Sequence, residues 1–259
     1  MRIAAIIEYD GSRFCGWQLQ VGVRTVQGVV EEALAQVANA PVRVTTAGRT
    51  DTGVHACGQV IHFDTETERN AYQWLRGANS NLPDDAVVLW ADRVDDEFHA
   101  RFSATGRYYR YVILNRKVRP TFLGQRVTWD HRSLDEVCMQ KAADALVGTH
   151  DFSAFRSVQC QAKSPIREMR SLTVERRGEY IHITAYANAF LHHMIRNIAG
   201  VLMTIGAGEQ PVGWVKEVLQ SRNRTKGGVT AEPDGLYLTA IEYPEVFKIP
   251  RLSPDCGLW

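Results

Sequence analysis

Hydrophobic positions along the first hundred residues switch between a strand period and a helix period. IAAIIEY, from Ile3, is an apolar run rich in β-branched residues that closes at an Asp-Gly pair and predicts a strand. VQGVVEEALAQVA follows Thr25 with apolar side chains at helical spacing, which predicts a helix capped by that threonine. VRVTTA and GQVIHFD predict two strands, AYQWLRGANSNL predicts a helix ended by Pro83, and AVVLWADRV predicts a further strand. The predicted order is β-α-β-β-α-β.

The second half of the chain repeats this order approximately. RYYRYVILN predicts a strand, and SLDEVCMQKAADALVG predicts a helix with Ser133 as cap and Gly148 as stop. EMRSLTVERRGEYIHITAYA predicts two strands around a turn, and NAFLHHMIRNIAGVLMTIG predicts a long helix. WVKEVLQSR and GLYLTAIEY add a short helix and a closing strand. We therefore expect an α+β fold of two ferredoxin-like units, residues 1–104 and 105–259, that share a continuous and mainly antiparallel sheet.

Composition is that of an ordinary folded protein, with 45% hydrophobic and 23% charged residues. The five cysteines, at positions 15, 57, 138, 160 and 256, form no C-x-x-C pair, which favours reduced thiols over disulfides or zinc binding. The start of the chain lacks the pattern of a signal peptide, and the apolar run from Ile198 is too short to span a bilayer. We expect a cytoplasmic protein without membrane contact.

Charge is balanced overall but segregated locally. The net charge is +1, yet the stretch from His99 to Arg119 contains no acid. Its basic residues are Arg101, Arg107, Arg110, Arg116, Lys117 and Arg119. Such a run, joined by Arg156, Lys163, Arg167 and Arg170, is a candidate groove for the phosphates of a polyanion. A solvated charged face remains the alternative.

The segment AGRTDTGVHA, residues 47–56, holds the main candidate for chemistry. Asp-Thr-Gly also occurs in aspartic proteases, but those need two such sites sharing one proton, and the neighbouring Arg49 favours an ionised Asp51. The chain has no H-E-x-x-H pair, no phosphate-binding G-x-x-x-x-G-K and no dinucleotide fingerprint. Two interpretations of Asp51 stay open: a nucleophilic carboxylate in a loop bounded by Gly48 and Gly53, or a side chain that caps its own turn.

Six segments in the same order resemble one family over nearly the whole chain. They are YDGSRFCGWQ, AGRTDTGVHA, FHARFSATGRYYRYVI, DFSAFRS, NAFLHHMIRNIAG and GLYL. This set resembles the A family of tRNA pseudouridine synthases (TruA), although the family often has alanine where this chain has Thr52. The resemblance implies the pseudouridine synthase fold and isomerisation of uridine to pseudouridine at positions 38, 39 and 40 in the anticodon stem-loop of tRNA. It implies tRNA as partner, a homodimer, no cofactor and no metal.

The resemblance also implies roles for individual residues. Asp51 matches the nucleophile, which attacks the sugar C1′ or the uracil C6, or assists loss of a sugar proton. Arg49 matches the loop arginine that helps to extrude the target base from its helix. Tyr109 matches the active-site tyrosine, whose ring can stack on uracil and whose hydroxyl can accept a proton. Arg196 matches the arginine that pairs with the nucleophile.

Further substrate contacts are expected at Leu238, which matches an apolar residue bordering the base pocket, and at Arg101, Arg107 and Arg110 of the basic run. On a strand, Arg107, Tyr109 and Tyr111 would share one face. Two other classes of function remain as alternatives: a tRNA-binding module without catalysis, such as an RNA chaperone, and an aspartyl hydrolase.

Overall fold

A computed structural model describes residues 1–255 of the 259-residue chain, so Cys256 lies outside the described part. The chain divides into two compact units. Unit 1 comprises Met1–Arg107 together with the segment from Tyr237 onward, and unit 2 comprises Tyr108–Leu236. No helix within residues 1–255 is both long and apolar enough to cross a membrane. The four cysteines in that range are free thiols.

Strands and helices follow one another in the order that the hydrophobic pattern predicts, with two short strands in addition. The strands are β1 (Arg2–Tyr9), β2 (Thr45–Thr46), β3 (His55–Asp64), β4 (Ala86–Val94), β5 (Gly106–Asn115), β6 (Thr128–Asp130), β7 (Gly148–Asp151), β8 (Ile166–Arg177), β9 (Tyr180–Ala187) and β10 (Leu236–Glu242). The helices are α1 (Val26–Ala38), α2 (Ala71–Asn81), α3 (Glu136–Asp144), α4 (Met194–Gly206) and α5 (Trp214–Ser221). Short 3-10 turns lie at Gly11–Arg13, Ser153–Phe155, Arg224–Lys226 and Glu245–Phe247.

The sheet of unit 1 has the strand order β4-β1-β3-β2, with antiparallel pairing throughout these four strands. This is the order of the split β-α-β-β-α-β unit, so the predicted α+β class is confirmed. Strand β10 joins β3 in parallel, with Tyr237 opposite His55 and Leu238 opposite Ala56. The loop that leads into β3 therefore ends where β3 has β1 as an antiparallel neighbour and β10 as a parallel one, whereas β2 pairs with the later residues Ile61 and His62.

Helices α1 and α2 pack on each other, and α2 packs on β4. Thr25 caps α1 as predicted, because its side chain accepts a hydrogen bond from the Gly28 amide. Asn70 and Gln73 form a reciprocal capping box at the start of α2. The core beneath these helices includes Trp74, which meets Phe63 edge to face at 5.2 Å between ring centroids.

Unit 2 has the strand order β5-β9-β8-β7, with β6 paired in parallel to β5. β8 and β9 form a long antiparallel hairpin around Gly178, whose positive φ of 61° suits the turn. Helix α3 packs on β8 and on α4. Ten of the thirteen residues of α4 are buried, which explains its nearly uniform apolar sequence.

Several predicted boundaries were wrong. β2 is only two residues long, and β3 begins at His55 inside the AGRTDTGVHA motif. Helix α3 is capped by Asp135 rather than Ser133, because the Asp135 carboxylate accepts from two backbone amides. Gly148 opens strand β7 instead of ending that helix.

The predicted long helix begins later than its sequence suggested. His193 adopts the left-handed region at φ 62°, so α4 starts at Met194 and residues 188–193 precede it. Phe190 and His192 therefore lie outside the helix that carries Arg196.

Candidate active site

Residues 47–54 connect β2 to β3 and carry Asp51 in a sharp turn. The Asp51 carbonyl accepts a hydrogen bond from the Val54 amide at 3.1 Å, and Gly53 has φ +81° at the third position of that turn. This is the position where a type II turn requires glycine. Asp51 is half-buried, Thr50 is buried and Arg49 is exposed. The loop thus holds a partly shielded carboxylate next to a solvent-facing guanidinium.

The YDGSRFCGWQ segment forms a backbone cradle for this loop. The Trp17 amide donates to the Thr50 carbonyl at 3.0 Å. A Cβ at Gly16 would lie 2.9 Å from the Thr50 carbonyl oxygen and 3.2 Å from the Asp51 carbonyl carbon. A Cβ at Gly11 would lie 2.0 Å from the Val54 carbonyl oxygen. Both glycines are therefore required by close approach of the two main chains.

His55 links the end of the loop to the first strand and to β10. Its Nδ1 lies 3.0 Å from the Gly11 amide nitrogen and 3.2 Å from Asp10 Oδ1. When Nδ1 carries no hydrogen, it accepts from the Gly11 amide. When it carries one, it donates to the Asp10 carboxylate. The hydrogen bond to His55 holds the pKa of Asp10 well below its ordinary value, against the opposing effect of burial. The imidazole also stacks on Tyr237 at 4.6 Å.

Three other predicted substrate residues belong to unit 1. Arg107 Nη2 donates to the carbonyls of Ala47 at 3.3 Å and of Arg101 at 3.0 Å, so it ties the start of the Asp51 loop to the 98–103 segment. The Arg101 side chain is exposed, and its guanidinium lies 5.6 Å from the ring centre of Phe102. Leu238 is 1% exposed and pairs with Ala56 at the start of β3.

The remaining predicted site residues belong to unit 2. The Tyr109 ring meets Phe190 edge to face at 5.0 Å, whereas Tyr108 stacks on Tyr186 at 4.1 Å. Neighbouring tyrosines of β5 thus have different ring partners, as a strand requires. Arg110 is 4% exposed, so its guanidinium is not a surface group.

Arg196 lies in the first turn of α4 and is half-buried. Its Nε donates to the Ala231 carbonyl at 2.8 Å, and the Ala231 amide donates to the Arg196 carbonyl at 3.1 Å. One turn later, a Cβ at Gly200 would lie 2.0 Å from the Val229 carbonyl oxygen. The 229–231 segment therefore packs directly against the helix and orients the Arg196 side chain.

Sequence reasoning did not identify the residues that support the loop. Tyr9, Gly11, Gly16 and Trp17 all contact residues 50–54, but their motif was noted only for its resemblance. Two glycines among aromatic residues were the available signal for a close backbone approach. The partner of that approach cannot be read from spacing, because it lies some thirty-five residues further along the chain.

Residues 5–103 and 142–244 match the sequence model of a family described as tRNA pseudouridine synthase. The matched ranges cover most of both units and include Asp51, Arg196 and Leu238. The class of protein is thereby defined as an isomerase of the pseudouridine synthase type.

Individual relatives agree with this family over the full length of the chain. The protein named tRNA pseudouridine synthase A from Nitrosococcus oceani is 58% identical over 259 residues, which is 100% of both chains. Proteins of the same name from Pseudomonas aeruginosa and Shewanella frigidimarina are 57% and 52% identical. They align over 96% and 98% of this chain and over 88% and 97% of their own. The chain belongs to the tRNA pseudouridine synthase A (TruA) family.

Proposed function

We propose that this protein isomerises uridine to pseudouridine at positions 38, 39 and 40 in the anticodon stem-loop of tRNA, with Asp51 as the nucleophile. The observation that carries the proposal is the Asp51 loop itself. A half-buried carboxylate stands at the end of a segment held by backbone contacts on both sides, next to an exposed arginine. A nucleophile needs this combination of fixed direction and access.

The reaction breaks the bond between uracil N1 and the sugar C1′ and forms a bond from C1′ to uracil C5. The proton on C5 is lost, and N1 gains one, so atoms balance without oxidant or reductant. Asp51 attacks C1′, attacks uracil C6, or assists loss of a sugar proton. Each route uses the carboxylate in its ionised form.

Other residues handle the base. The exposed Arg49 supports extrusion of the target nucleotide, since a stacked base must leave its helix before it can react. Tyr109 stacks on the uracil or accepts a proton, and Arg196 acts on the nucleophile. Tyr109→Phe separates the two uses of the tyrosine, because stacking survives the loss of the hydroxyl and proton transfer does not.

Recognition of the rest of the tRNA rests on charge. Of Arg101, Arg107 and Arg110, which we assign to tRNA binding, Arg101 is the most exposed. Arg107 and Arg110 support that binding from more buried positions. We propose further that the enzyme works as a homodimer in the cytoplasm, where its tRNA substrates occur. Leu238 is proposed to border the base pocket from β10.

The decisive experiment replaces Asp51. We expect Asp51→Ala and Asp51→Asn to abolish pseudouridine formation while tRNA binding stays within about twofold, because the variants lose the reacting group and keep the backbone of the loop. Turnover is followed by tritium release from tRNA labelled at uracil C5. Binding is followed by filter retention of the same tRNA.

The matched control is Thr52→Ala, which truncates the next residue of the same loop. Its side chain is exposed, so this variant should keep full turnover. Pseudouridine formed by pure Asp51→Ala protein would contradict the role of Asp51. Mapping of pseudouridine in tRNA from cells lacking the protein then tests the assignment to positions 38–40.

The same assays address the other classes of function. An RNA chaperone would bind tRNA without releasing tritium, and an aspartyl hydrolase would cleave peptides in a pepstatin-sensitive manner. An RNA chaperone requires no carboxylate at position 51, so Asp51, Tyr109 and Arg196 count against that class.

A further inference from the structure

A buried polar network lies beneath the Asp51 loop, within unit 1. The Tyr9 hydroxyl, at the end of β1, lies 2.7 Å from Thr50 Oγ1. Both residues are buried, since Tyr9 is 3% exposed and Thr50 is 7% exposed. Thr50 directly precedes Asp51, so a hydroxyl pair in the core is joined to the reacting residue by a single peptide bond.

A second buried group holds the other end of the same segment. Gln59 of β3 is completely buried, and its Nε2 donates to the carbonyl of Gly48. The Gln59 side chain is also hydrogen-bonded to the Tyr9 hydroxyl. β1 and β3 are antiparallel neighbours in which Gln59 pairs with Ile7, so two adjacent strands supply both groups.

The order of donors in this network follows from its chemistry. The two amide hydrogens of Gln59 serve the Gly48 carbonyl and the Tyr9 hydroxyl, so the tyrosine accepts from Gln59 and donates its own proton to Thr50. Burial raises the pKa of Tyr9, which keeps that proton in place. Thr50 is thereby fixed as an acceptor, with a defined side-chain rotamer and a carbonyl held by the Trp17 amide at 3.0 Å.

This polar arrangement makes the core less stable than an apolar one would be. Gln59 Oε1 has no hydrogen-bond partner within residues 1–255, although it is buried, and an unsatisfied buried acceptor costs about 1–3 kcal/mol. An apolar trio of similar size would pack there without that cost. What the polar trio provides is direction, because it fixes Gly48 on one side of Arg49 and Thr50 on the other.

We propose that Thr50, Tyr9 and Gln59 are positioning residues that fix the direction of the Asp51 carboxylate and the Arg49 side chain. The inference rests on the proposed role of Asp51 in the reaction. None of the three side chains needs to touch the RNA. Their effect is to hold residues 48–51 against β1 and β3, so that the Asp51 carboxylate is already oriented when the substrate binds.

The test compares variants that remove one hydroxyl with a variant that keeps it. We expect Tyr9→Phe and Thr50→Val to lower kcat about tenfold or more with KM changed less than about twofold, since the loop direction is lost while the RNA contacts remain. Thr50→Ser keeps the hydroxyl and should stay within about threefold of the wild-type kcat. The Tyr9→Phe and Thr50→Val double variant should be no worse than the poorer single variant, because both changes break the same hydrogen bond between Tyr9 and Thr50.

The control for folding is Tyr243→Phe. Tyr243 is another buried tyrosine of unit 1, and its hydroxyl donates to the Ala100 carbonyl at 2.6 Å, away from residues 47–54. It should lose thermal stability much as Tyr9→Phe does, yet keep kcat. Equal kcat for Thr50→Val, Thr50→Ser and wild type would overturn the positioning role while leaving Asp51 untouched. An active Asp51→Ala enzyme would instead remove the proposed function, so the two failures are distinguishable.

Discussion

At the scale of single residues, main-chain contacts place the Asp51 loop in addition to the buried side chains beneath it. Gly16 faces the Thr50–Asp51 peptide, Gly11 faces the Val54 carbonyl, and Gly53 makes the turn between them. Gly11 and Gly16 must lack a Cβ for these close contacts, and Gly53 must lack one for its positive φ. Substitution of Gly11 or Gly16 should therefore displace the loop, although both are distant in sequence from Asp51.

Gly16 and Gly22 offer a matched pair for testing this dependence. Both have positive φ, of 77° and 79°, so alanine at either costs about 1–2 kcal/mol of backbone strain. Only Gly16→Ala also brings a Cβ within 3.2 Å of three atoms of residues 50–52, because nothing lies within 4 Å of the Gly22 Cβ position. We expect similar thermal destabilisation for the two variants from strain alone, with a further loss and a lower kcat for Gly16→Ala. Equal kcat values would mean that the loop tolerates displacement.

At this scale the sequence predicts Asp51 as the reacting group but gives no sign of the side chains beneath its loop. Asp51, Arg49 and the flanking glycines stand together in one ten-residue stretch, so their association needs no tertiary information. Tyr9, Thr50 and Gln59 meet only through the pairing of β1 with β3. A hydroxyl that pairs across two strands has no periodicity of its own, and its role could not be predicted from the sequence. The catalytic and substrate-binding roles of the individual residues remain predictions.

At the scale of elements, helix ends determine where the chain enters and leaves the core. Thr25 begins α1 by accepting from the Gly28 amide, and Asn39 ends it in the left-handed conformation. The segment that supports Asp51, residues 9–17, leads directly into this cap through the Gly16 carbonyl, which accepts from the Val26 amide at 3.2 Å. The start of α1 is thus joined to the support of the loop.

Removal of the α1 cap should cost stability without abolishing activity. We expect Thr25→Ala to lower the free energy of unfolding by about 1 kcal/mol, because the partly buried Gly28 amide loses its acceptor. Thr25→Ser retains the hydroxyl and should lose much less. Urea unfolding measures both variants. An unchanged midpoint for Thr25→Ala would show that the cap contributes nothing.

The elements themselves were largely predictable, and the exceptions have local causes. Strong apolar periodicity located α1, α2, α5 and most of the strands. The start of α4 was misplaced because a left-handed residue at His193 interrupts a pattern that is apolar on both sides. β6 and β7 were missed because strands of three and four residues carry too few alternations to distinguish them from loops.

At the scale of the whole molecule, one buried histidine should make stability depend on pH. His62 is 5% exposed, and its Nδ1 accepts from the Ala100 amide at 3.1 Å. Burial, followed by the charges of Arg2 and His99, lowers the pKa of His62 to about 4, while Asp64 opposes the shift. The unfolded chain binds this proton near pH 6.5, so it holds more protons than the folded protein between about pH 6.5 and pH 4.

The contribution of His62 to the free energy of unfolding should therefore be fully present above about pH 6.5 and be lost as the pH is lowered toward 4. His62→Asn keeps an acceptor near the Ala100 amide and removes the titration, so its free energy of unfolding should vary less over this window. Thermal unfolding at a series of pH values compares the two proteins. Parallel curves would contradict the assignment to His62.

The expected α+β class with split β-α-β-β-α-β organisation was predictable because each unit carries its own hydrophobic pattern. The units of the structure are Met1–Arg107 with the segment from Tyr237 onward, and Tyr108–Leu236. The boundary expected at residues 104 and 105 stays a prediction. Hydrophobic periodicity reflects only residues that are close in sequence, so it does not show that the segment from Tyr237 onward returns to join Met1–Arg107 in unit 1.

That return has a consequence for biosynthesis. Tyr237 stacks on His55 and Leu238 pairs with Ala56, so the strand that follows the Asp51 loop receives its parallel neighbour only after the chain as far as Leu238 has left the ribosome. Until then the nascent chain carries the Asp51 loop beside a strand edge that has not yet received β10. The pairing beside the Asp51 loop is therefore completed long after the loop itself has been synthesised.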